Sequence, residues 1–325
     1  MEYRSLGRTG VQVSPLCLGA WQFGERTPRE EAWRLVDMAL EAGVNFFDTA
    51  TGYGEGRSET VLGEALARDG KREQAVVASK FSFGISRRQI VEQCDATLRR
   101  LGTDHVDLYQ FHGPRAEIPI DESLRALDDL VRVGKVRYIG TSNFTAWQAM
   151  EALWAAHTLN LALIVSEQPA YNVLDRRAEL ELVPMARTYN LALLPWSPLA
   201  QGFLTGKYQR DSGLPEGARL GTSVTATGTQ HFVPAAYDVV DVLAELAGEK
   251  GCSVGQLALA WCVGQPGITS PIIGPRTADQ LADNLGALDL TLTDEDRQRI
   301  DAVAPPGAMI VQYFRADQRP RTRWL

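Results

Sequence analysis

From Pro15 onward, short apolar runs alternate with longer stretches of helical period. The runs are Leu16–Trp21, Val44–Phe47, Ala75–Ala78, Val106–Phe111, Val136–Ile139, Leu163–Val165, Leu191–Leu194 and Ile268–Ile273. Each has strand length and few polar breaks, as expected of a strand covered on both faces in a parallel sheet. Between the first two runs, Ala32, Leu35, Val36, Ala39 and Leu40 fall on one face of a helix. Strands alternating in this way with helices predict an α/β fold, a (β/α)8 TIM barrel rather than an open doubly wound sheet. No linker divides the chain, so residues 1–325 read as a single barrel domain.

The helix boundaries are also legible. Thr27-Pro28-Arg29-Glu30 predicts a capping threonine with proline at the first helical position. Ser86, Thr145, Ser253 and Thr277 are each followed three residues later by glutamine, the capping-box spacing. Gly43, Gly70, Gly102, Gly134 and Gly251 stand where helices should stop. Residues 2–13 alternate around Gly7 and Gly10 and predict an N-terminal β-hairpin. Two segments break the rhythm: the long loop Tyr208–Phe232 after strand seven, and an irregular tail that follows one short helix, Asp294–Val303.

Composition narrows the function. A formal net charge of -7 argues against a nucleic-acid or anionic-membrane surface. The N-terminus lacks the apolar run of a signal peptide, and no run approaches the length of a membrane span. Cys17, Cys94, Cys252 and Cys262 form no CxxC pair and read as reduced packing residues of a cytoplasmic protein. No metal is expected, because the four histidines show no ligand spacing. Neither a GxGxxG nor a GxxxxGK[ST] follows any strand, which argues against Rossmann and P-loop sites.

In such a barrel the C-terminal strand ends carry the chemistry. Read in order, they are Trp21, Asp48, Lys80, His112, Ser142-Asn143, Gln168, Trp196-Ser197 and Gly274, with Tyr53 just past the second strand. Lys80 in a half-buried mouth needs a counter-charge, and Asp48 on the neighbouring strand supplies it. A fixed ammonium near a phenol favours the phenolate, which suits Tyr53 to act as an acid near neutral pH. His112 can bond the same substrate oxygen. Together the four form a device that protonates a carbonyl oxygen while hydride arrives at the carbon. Each type also has a structural use: an Asp–Lys bridge, a satisfied core histidine, a tyrosine in a turn. Lys80 as a Schiff-base nucleophile is a further reading, but that chemistry wants a neutral amine.

The ordered motifs carry a family resemblance. They are Asn45-Phe46-Phe47-Asp48-Thr49-Ala50 with Gly52-Tyr53-Gly54, then Glu59, Leu62-Gly63, Ser79-Lys80 and Gln110-Phe111-His112. Gly140-Thr141-Ser142-Asn143-Phe144, Glu167-Gln168-Pro169-Ala170-Tyr171-Asn172, Pro195-Trp196-Ser197-Pro198-Leu199-Ala200 and Gly274-Pro275-Arg276 follow. With these the chain resembles the aldo-keto reductases. Trp196 and the run Ser197 through Lys207 look like the branch of bacterial general reductases and voltage-gated potassium-channel β subunits. The resemblance implies a catalytic tetrad of Asp48, Tyr53, Lys80 and His112, and NADPH lying across the barrel mouth. It implies that Ala20, Trp21 and Asp48 border the cofactor, that Ser142, Asn143 and Gln168 hold its carboxamide, and that Trp196 stacks on its ring. Ser197, Leu199, Gln201 and Lys207 would meet the pyrophosphate and ribose. Gly274, Arg276, Gln280 and Asn284 would complete the site. Arg276, beside a helix start, is expected to recognise a 2′-phosphate and to favour NADPH over NADH. Gln280 and Asn284 also suit capping and an exposed helix face.

Many relatives carry an aspartate two or three residues after the histidine, where Gly113-Pro114-Arg115 stands here. The substrate wall therefore differs, and Arg115, Trp21 and Tyr313-Phe314-Arg315 are candidates to line it. The expected partner is a small-molecule carbonyl substrate, with no nucleic acid and no membrane. The alternative implied by the same resemblance is an NADPH-binding regulatory subunit like the channel β subunits. A homo-oligomer is compatible with either reading.

Overall fold

A computed structural model describes residues 1–81, 86–115, 118–210 and 231–312. The chain opens with the expected hairpin, β1 (Arg4–Ser5) paired antiparallel with β2 (Gln12–Val13). Eight parallel strands follow: β3 (Cys17–Gly19), β4 (Phe46–Asp48), β5 (Val76–Phe81), β6 (Val106–Phe111), β7 (Val136–Ser142), β8 (Ile164–Gln168), β9 (Ala192–Leu193) and β10 (Ile272–Ile273). They lie side by side in chain order, with β10 next to β3. Parallel bridges Leu193–Ile268 and Trp196–Ile272 close the ring between β9 and β10. The fold is a (β/α)8 barrel.

The outer layer is α1 (Arg29–Glu41), α2 (Arg57–Ala67), α3 (Arg87–Leu101), α4 (Ile120–Arg132), α5 (Ala146–Thr158), α6 (Leu182–Tyr189), α7 (Pro234–Lys250), α8 (Val254–Val263) and α9 (Ala278–Gly286). A further helix, α10 (Asp294–Val303), lies where the pattern placed it. Between strands and helices runs the large apolar shell, to which α1 contributes Ala32, Leu35, Val36 and Ala39. A second cluster fills the barrel interior with Leu6, Val13, Cys17, Phe46, Ala78, Leu108, Val165, Ala192 and Leu194. Leu6 and Val13 belong to the hairpin, so the hairpin plugs the bottom of the barrel and leaves the top for polar groups. Gly7 makes this possible. It adopts φ +56°, and a Cβ there would lie 2.9 Å from Ala192 N. Arg4 Nη1 anchors the plug by donating to Val263 O (3.0 Å) and Ile268 O (2.9 Å).

Capping boxes form at Ser86, Thr145 and Ser253 as read from the sequence, and Gly102 and Gly251 are left-handed caps. Thr27 is a correction: α1 begins at Arg29 behind Pro28 with no side-chain cap, and Thr27 is buried instead. Strands β5, β7 and β8 each run three residues past their apolar runs, to Phe81, Ser142 and Gln168. Polar side chains continue the ladders there because the barrel mouth supplies their partners. All four cysteines are free. Among the described residues no helix is long and apolar enough to cross a membrane. Residues 211–230 of the long loop and the tail from residue 313 lie outside the described residues.

Candidate active site

The polar cluster is built from neighbouring strand ends. Lys80 Nζ lies 2.5 Å from Asp48 Oδ1 and donates to Thr49 O at 2.9 Å. Gln168 Nε2 reaches across the mouth to Asp48 Oδ2 at 2.9 Å. Both carboxylate oxygens are thus engaged. Lys80 is fully buried and Asp48 nearly so. Burial is the largest single influence and opposes the ammonium, but the charge and hydrogen bond of Asp48, together with Tyr53 and Cys17, outweigh it, and Lys80 is held above the ordinary lysine range. A lysine so held stays charged, which disfavours Schiff-base chemistry.

Tyr53 stands in the turn that leaves β4. Lys80 Nζ lies 5.2 Å from the centroid of its ring, and the His112 ring meets it edge-on with centroids 5.5 Å apart. The turn is unusual: Gly54, Glu55 and Gly56 take φ of +56°, +56° and +91° in succession. Three left-handed residues in a row need outside support. Thr51 N donates to Lys80 O at 3.0 Å, and the Thr51 and Thr97 hydroxyls lie 3.0 Å apart. A Cβ at Gly56 would sit 2.6 Å from Arg100 Cδ, so only glycine fits against that side chain. Arg100 in turn reaches Glu59 Oε2 at 2.6 Å. The buried Glu59 also accepts from Ser79 Oγ (2.6 Å) and Thr97 Oγ1 (2.9 Å). One carboxylate therefore ties α2, α3 and the residue beside Lys80 together.

The opposite side of the mouth is neutral. Ser142 Oγ donates to Gln168 O at 2.9 Å. Asn143 Nδ2 donates to His112 O and to Ser142 Oγ, both at 3.1 Å, while Asn143 Oδ1 accepts from Trp196 Nε1 at 3.0 Å. Asn143 itself has φ +61°. Asparagine tolerates that region better than most residues. Hydrogen bonds thus join Asp48, Lys80, Gln168, Ser142, Asn143, Trp196 and His112 into one network, against which Tyr53 packs.

The other candidates lie outside that network. Ala20 is buried behind Asp48 and donates its amide to Asp48 O at 2.8 Å. Trp21 covers Gly274, where a Cβ would meet Trp21 Nε1 at 3.2 Å. After β9, Ser197, Ala200, Gln201 and Gly202 are all left-handed, with φ of +59°, +53°, +56° and +91°. Asn172 Nδ2 holds this turn by donating to Ser197 O at 3.0 Å, and Leu199 O accepts from Gly202 N at 2.8 Å. Lys207 is exposed, its ammonium 5.3 Å from the centroid of the Tyr208 ring. Beyond β10, Arg276 is half-buried and Asn284 is buried. Gln280 acts as a cap, its Oε1 accepting from Arg276 N at 2.8 Å. The first amide of α9, on Ala278, already donates to Glu31 Oε1 from α1 at 2.9 Å. The helix start that an anion would seek therefore has a carboxylate on it. Arg115 is exposed beyond His112, and Tyr313-Phe314-Arg315 lie outside the described residues.

The mouth thus sets a buried Asp–Lys couple beside a tyrosine and a histidine at the C-terminal end of a parallel barrel. Residues 15–305 match the model of the Aldo/keto reductase family. The chain belongs to that family. It is similar to the uncharacterized oxidoreductase YrpG of Bacillus subtilis (strain 168), 36% identical over 94% of this chain and 97% of that protein. It is 38% identical to a protein of Oryza sativa subsp. japonica named "Probable voltage-gated potassium channel subunit beta", over 97% of this chain and all of that protein. A protein of Arabidopsis thaliana with the same name is 36% identical over 89% of this chain.

This aldo/keto reductase is accordingly an oxidoreductase of a family that acts on carbonyl compounds with nicotinamide cofactors. Three supporting residues escaped the sequence reading. Glu59 and Glu167 were visible only as motif letters, although an acid inside the apolar face of a strand, as in Val165-Ser166-Glu167, is itself a signal. Glu31 gave no signal, because its partner lies far along the chain.

Proposed function

We propose that this protein reduces an aldehyde or ketone to an alcohol with NADPH, Tyr53 giving the proton. The observation that carries the reading is the Lys80 ammonium, fixed by Asp48, against the face of Tyr53. When bound, the nicotinamide supplies a hydride to the carbonyl carbon. The tyrosine hydroxyl protonates the oxygen, Lys80 stabilises the phenolate left behind, and Asp48 keeps Lys80 charged in its dry position. His112 orients the substrate oxygen from the other side.

The donor set suits the cofactor. Gln168 spends its amide nitrogen on Asp48 and retains Oε1 as an acceptor, Ser142 and Asn143 sit beside it, and Trp196 offers an aromatic face. Ser197, Leu199, Gln201 and Lys207 are the candidates for the pyrophosphate and ribose, Lys207 supplying an exposed ammonium. Arg276 is the candidate for the 2′-phosphate, and we place the protein in the cytoplasm. A screen of NADPH oxidation over aldehydes, ketones, sugars and phosphorylated trioses tests the activity. Saturable oxidation with at least one class is expected; none, from protein that binds NADPH, would contradict it. Equal affinity for NADH and NADPH by fluorescence titration would overturn the cofactor preference.

The names of the rice and Arabidopsis relatives favour a second reading, a cofactor-binding regulatory subunit. Gel filtration and a pull-down from membranes separate the two, since the enzyme alone should not enrich membrane proteins.

A further inference from the structure

Glu167 is the one component of this corner that the proposed chemistry does not use. It lies on β8 between Ser166 and Gln168, completely buried. Its Oε1 accepts from Phe144 N at 3.1 Å, while its Oε2 is buried with no hydrogen-bond partner among the described residues. Phe144 follows Asn143, the residue whose left-handed backbone turns the chain from β7 toward α5. Phe144 is itself buried and packs its ring on Phe111, centroids 5.5 Å apart. The peptide between Asn143 and Phe144 is therefore fixed from two sides, by a ring contact and by one carboxyl oxygen. Everything Asn143 does depends on that peptide. Its side chain bonds the His112 carbonyl, the Ser142 hydroxyl and the Trp196 indole at once.

We propose that Glu167 is a positioning residue for the carboxamide side of the cofactor site, holding the left-handed Asn143 turn through the Phe144 amide. Its second oxygen makes this a conditional device. Burial pushes the Glu167 carboxyl up to about 8, although the nearby Thr141 hydroxyl and the Phe144 and Asn143 amides pull the other way. Thr141 Oγ1 donates to Ser166 O (3.2 Å) and Asn143 N to Gln168 O (3.1 Å), which leaves Phe144 N as the donor given to the carboxyl. No charged side chain is among the groups acting on it. The neutral acid fits the pocket. The anion has one oxygen without a donor, so above that pH the pocket is driven to admit water and the turn loosens.

The inference rests on the reading that this mouth holds a nicotinamide cofactor, and the test separates the two. NADPH dissociation constants are measured by fluorescence titration for the wild type, Glu167→Leu and Glu167→Gln at pH 7. An unsatisfied buried amide weakens its element by an amount that corresponds to roughly a tenfold change in affinity. Glu167→Leu should therefore raise the dissociation constant roughly tenfold, while Glu167→Gln, which keeps the acceptor oxygen, should restore it. Wild type that fails to bind NADPH refutes the functional reading. Wild type and a folded Glu167→Leu variant that bind equally well refute the positioning role. If Glu167→Leu does not fold, the pH series decides. Wild-type affinity should fall between pH 7 and 9.5 while that of Glu167→Gln stays level; parallel curves overturn the proposal.

Discussion

The two sides of the barrel mouth solve different problems with the same kind of support. On the β4–β5 side the working groups are ions, Asp48 and Lys80, with Tyr53 against them. On the β7–β8 side they are neutral: Ser142, Asn143, Gln168 and the Trp196 indole. Behind each side sits one fully buried glutamate. Glu59 meets a guanidinium and two hydroxyls, four donor atoms counting both Arg100 nitrogens within reach. Glu167 meets a single amide through Oε1. Burial is equal, so the donors decide. The charged side is clamped by a salt bridge that links two helices and a strand, whereas the neutral side hangs on an acid that prefers to keep its proton. The Asp48–Gln168 bond is the link between the two sides.

The comparison predicts that the sides fail differently. The largest effect is expected at Lys80. Lys80→Met leaves Asp48 as an unpaired buried charge, which should cost about 3–5 kcal/mol of stability in chemical denaturation. Turnover should also fall by about two orders of magnitude or more with the acid's partner gone. If stability and turnover both hold, the charged side is ornamental. Next comes Gln168→Ala. It removes a donor from Asp48 and an acceptor from the cofactor corner, so NADPH affinity should drop by roughly a factor of ten. A variant that loses turnover with unchanged affinity would place Gln168 with the chemistry instead.

An effect of a different kind is read in stability against pH. The folded Glu167 carboxyl is raised to about 8 from an ordinary 4.5. Between those values the folded state binds more protons than the unfolded one, so stability falls as pH rises. The slope approaches about 1.4 kcal/mol per pH unit, and it ends above pH 8. Glu167→Gln should flatten that slope in urea melts taken from pH 5 to 8; an identical slope in both proteins would show that another group carries it. Smallest is the effect of Glu31→Gln. Removing the carboxylate from the first amide of α9 should shift the NADPH-to-NADH affinity ratio upward by about two- to threefold, as expected for a partly exposed charge at a helix start. No change would mean that the 2′-phosphate lies beyond its reach.

Much of this was legible in the chain. Asp48, Lys80, Ser142 and Gln168 interrupt or end apolar runs, and a barrel brings strand ends together whatever separates them in sequence. The hairpin, the eight strands and most capping boxes follow from local patterns with local causes. What stayed hidden depends on long-range pairing. Thr27 has the spacing of a cap, yet tertiary packing buries it and starts the helix at Arg29. Glu31 caps a helix whose first residue lies 247 positions further along the chain. The left-handed run at Gly54–Gly56 shows as two glycines in sequence, but the positive φ of Glu55 between them does not.

On the proposed reading the charged side donates the proton and the neutral side holds the cofactor, a division of labour that a single turnover resolves. Wild type and Tyr53→Phe, each loaded with NADPH, are mixed with a reactive aldehyde in a stopped-flow instrument, and the loss of NADPH absorbance is followed. Equal NADPH titrations for the two proteins are expected, with a hydride-transfer rate about 10²- to 10⁴-fold slower without the phenol. Equal rates from equally loaded proteins would contradict it.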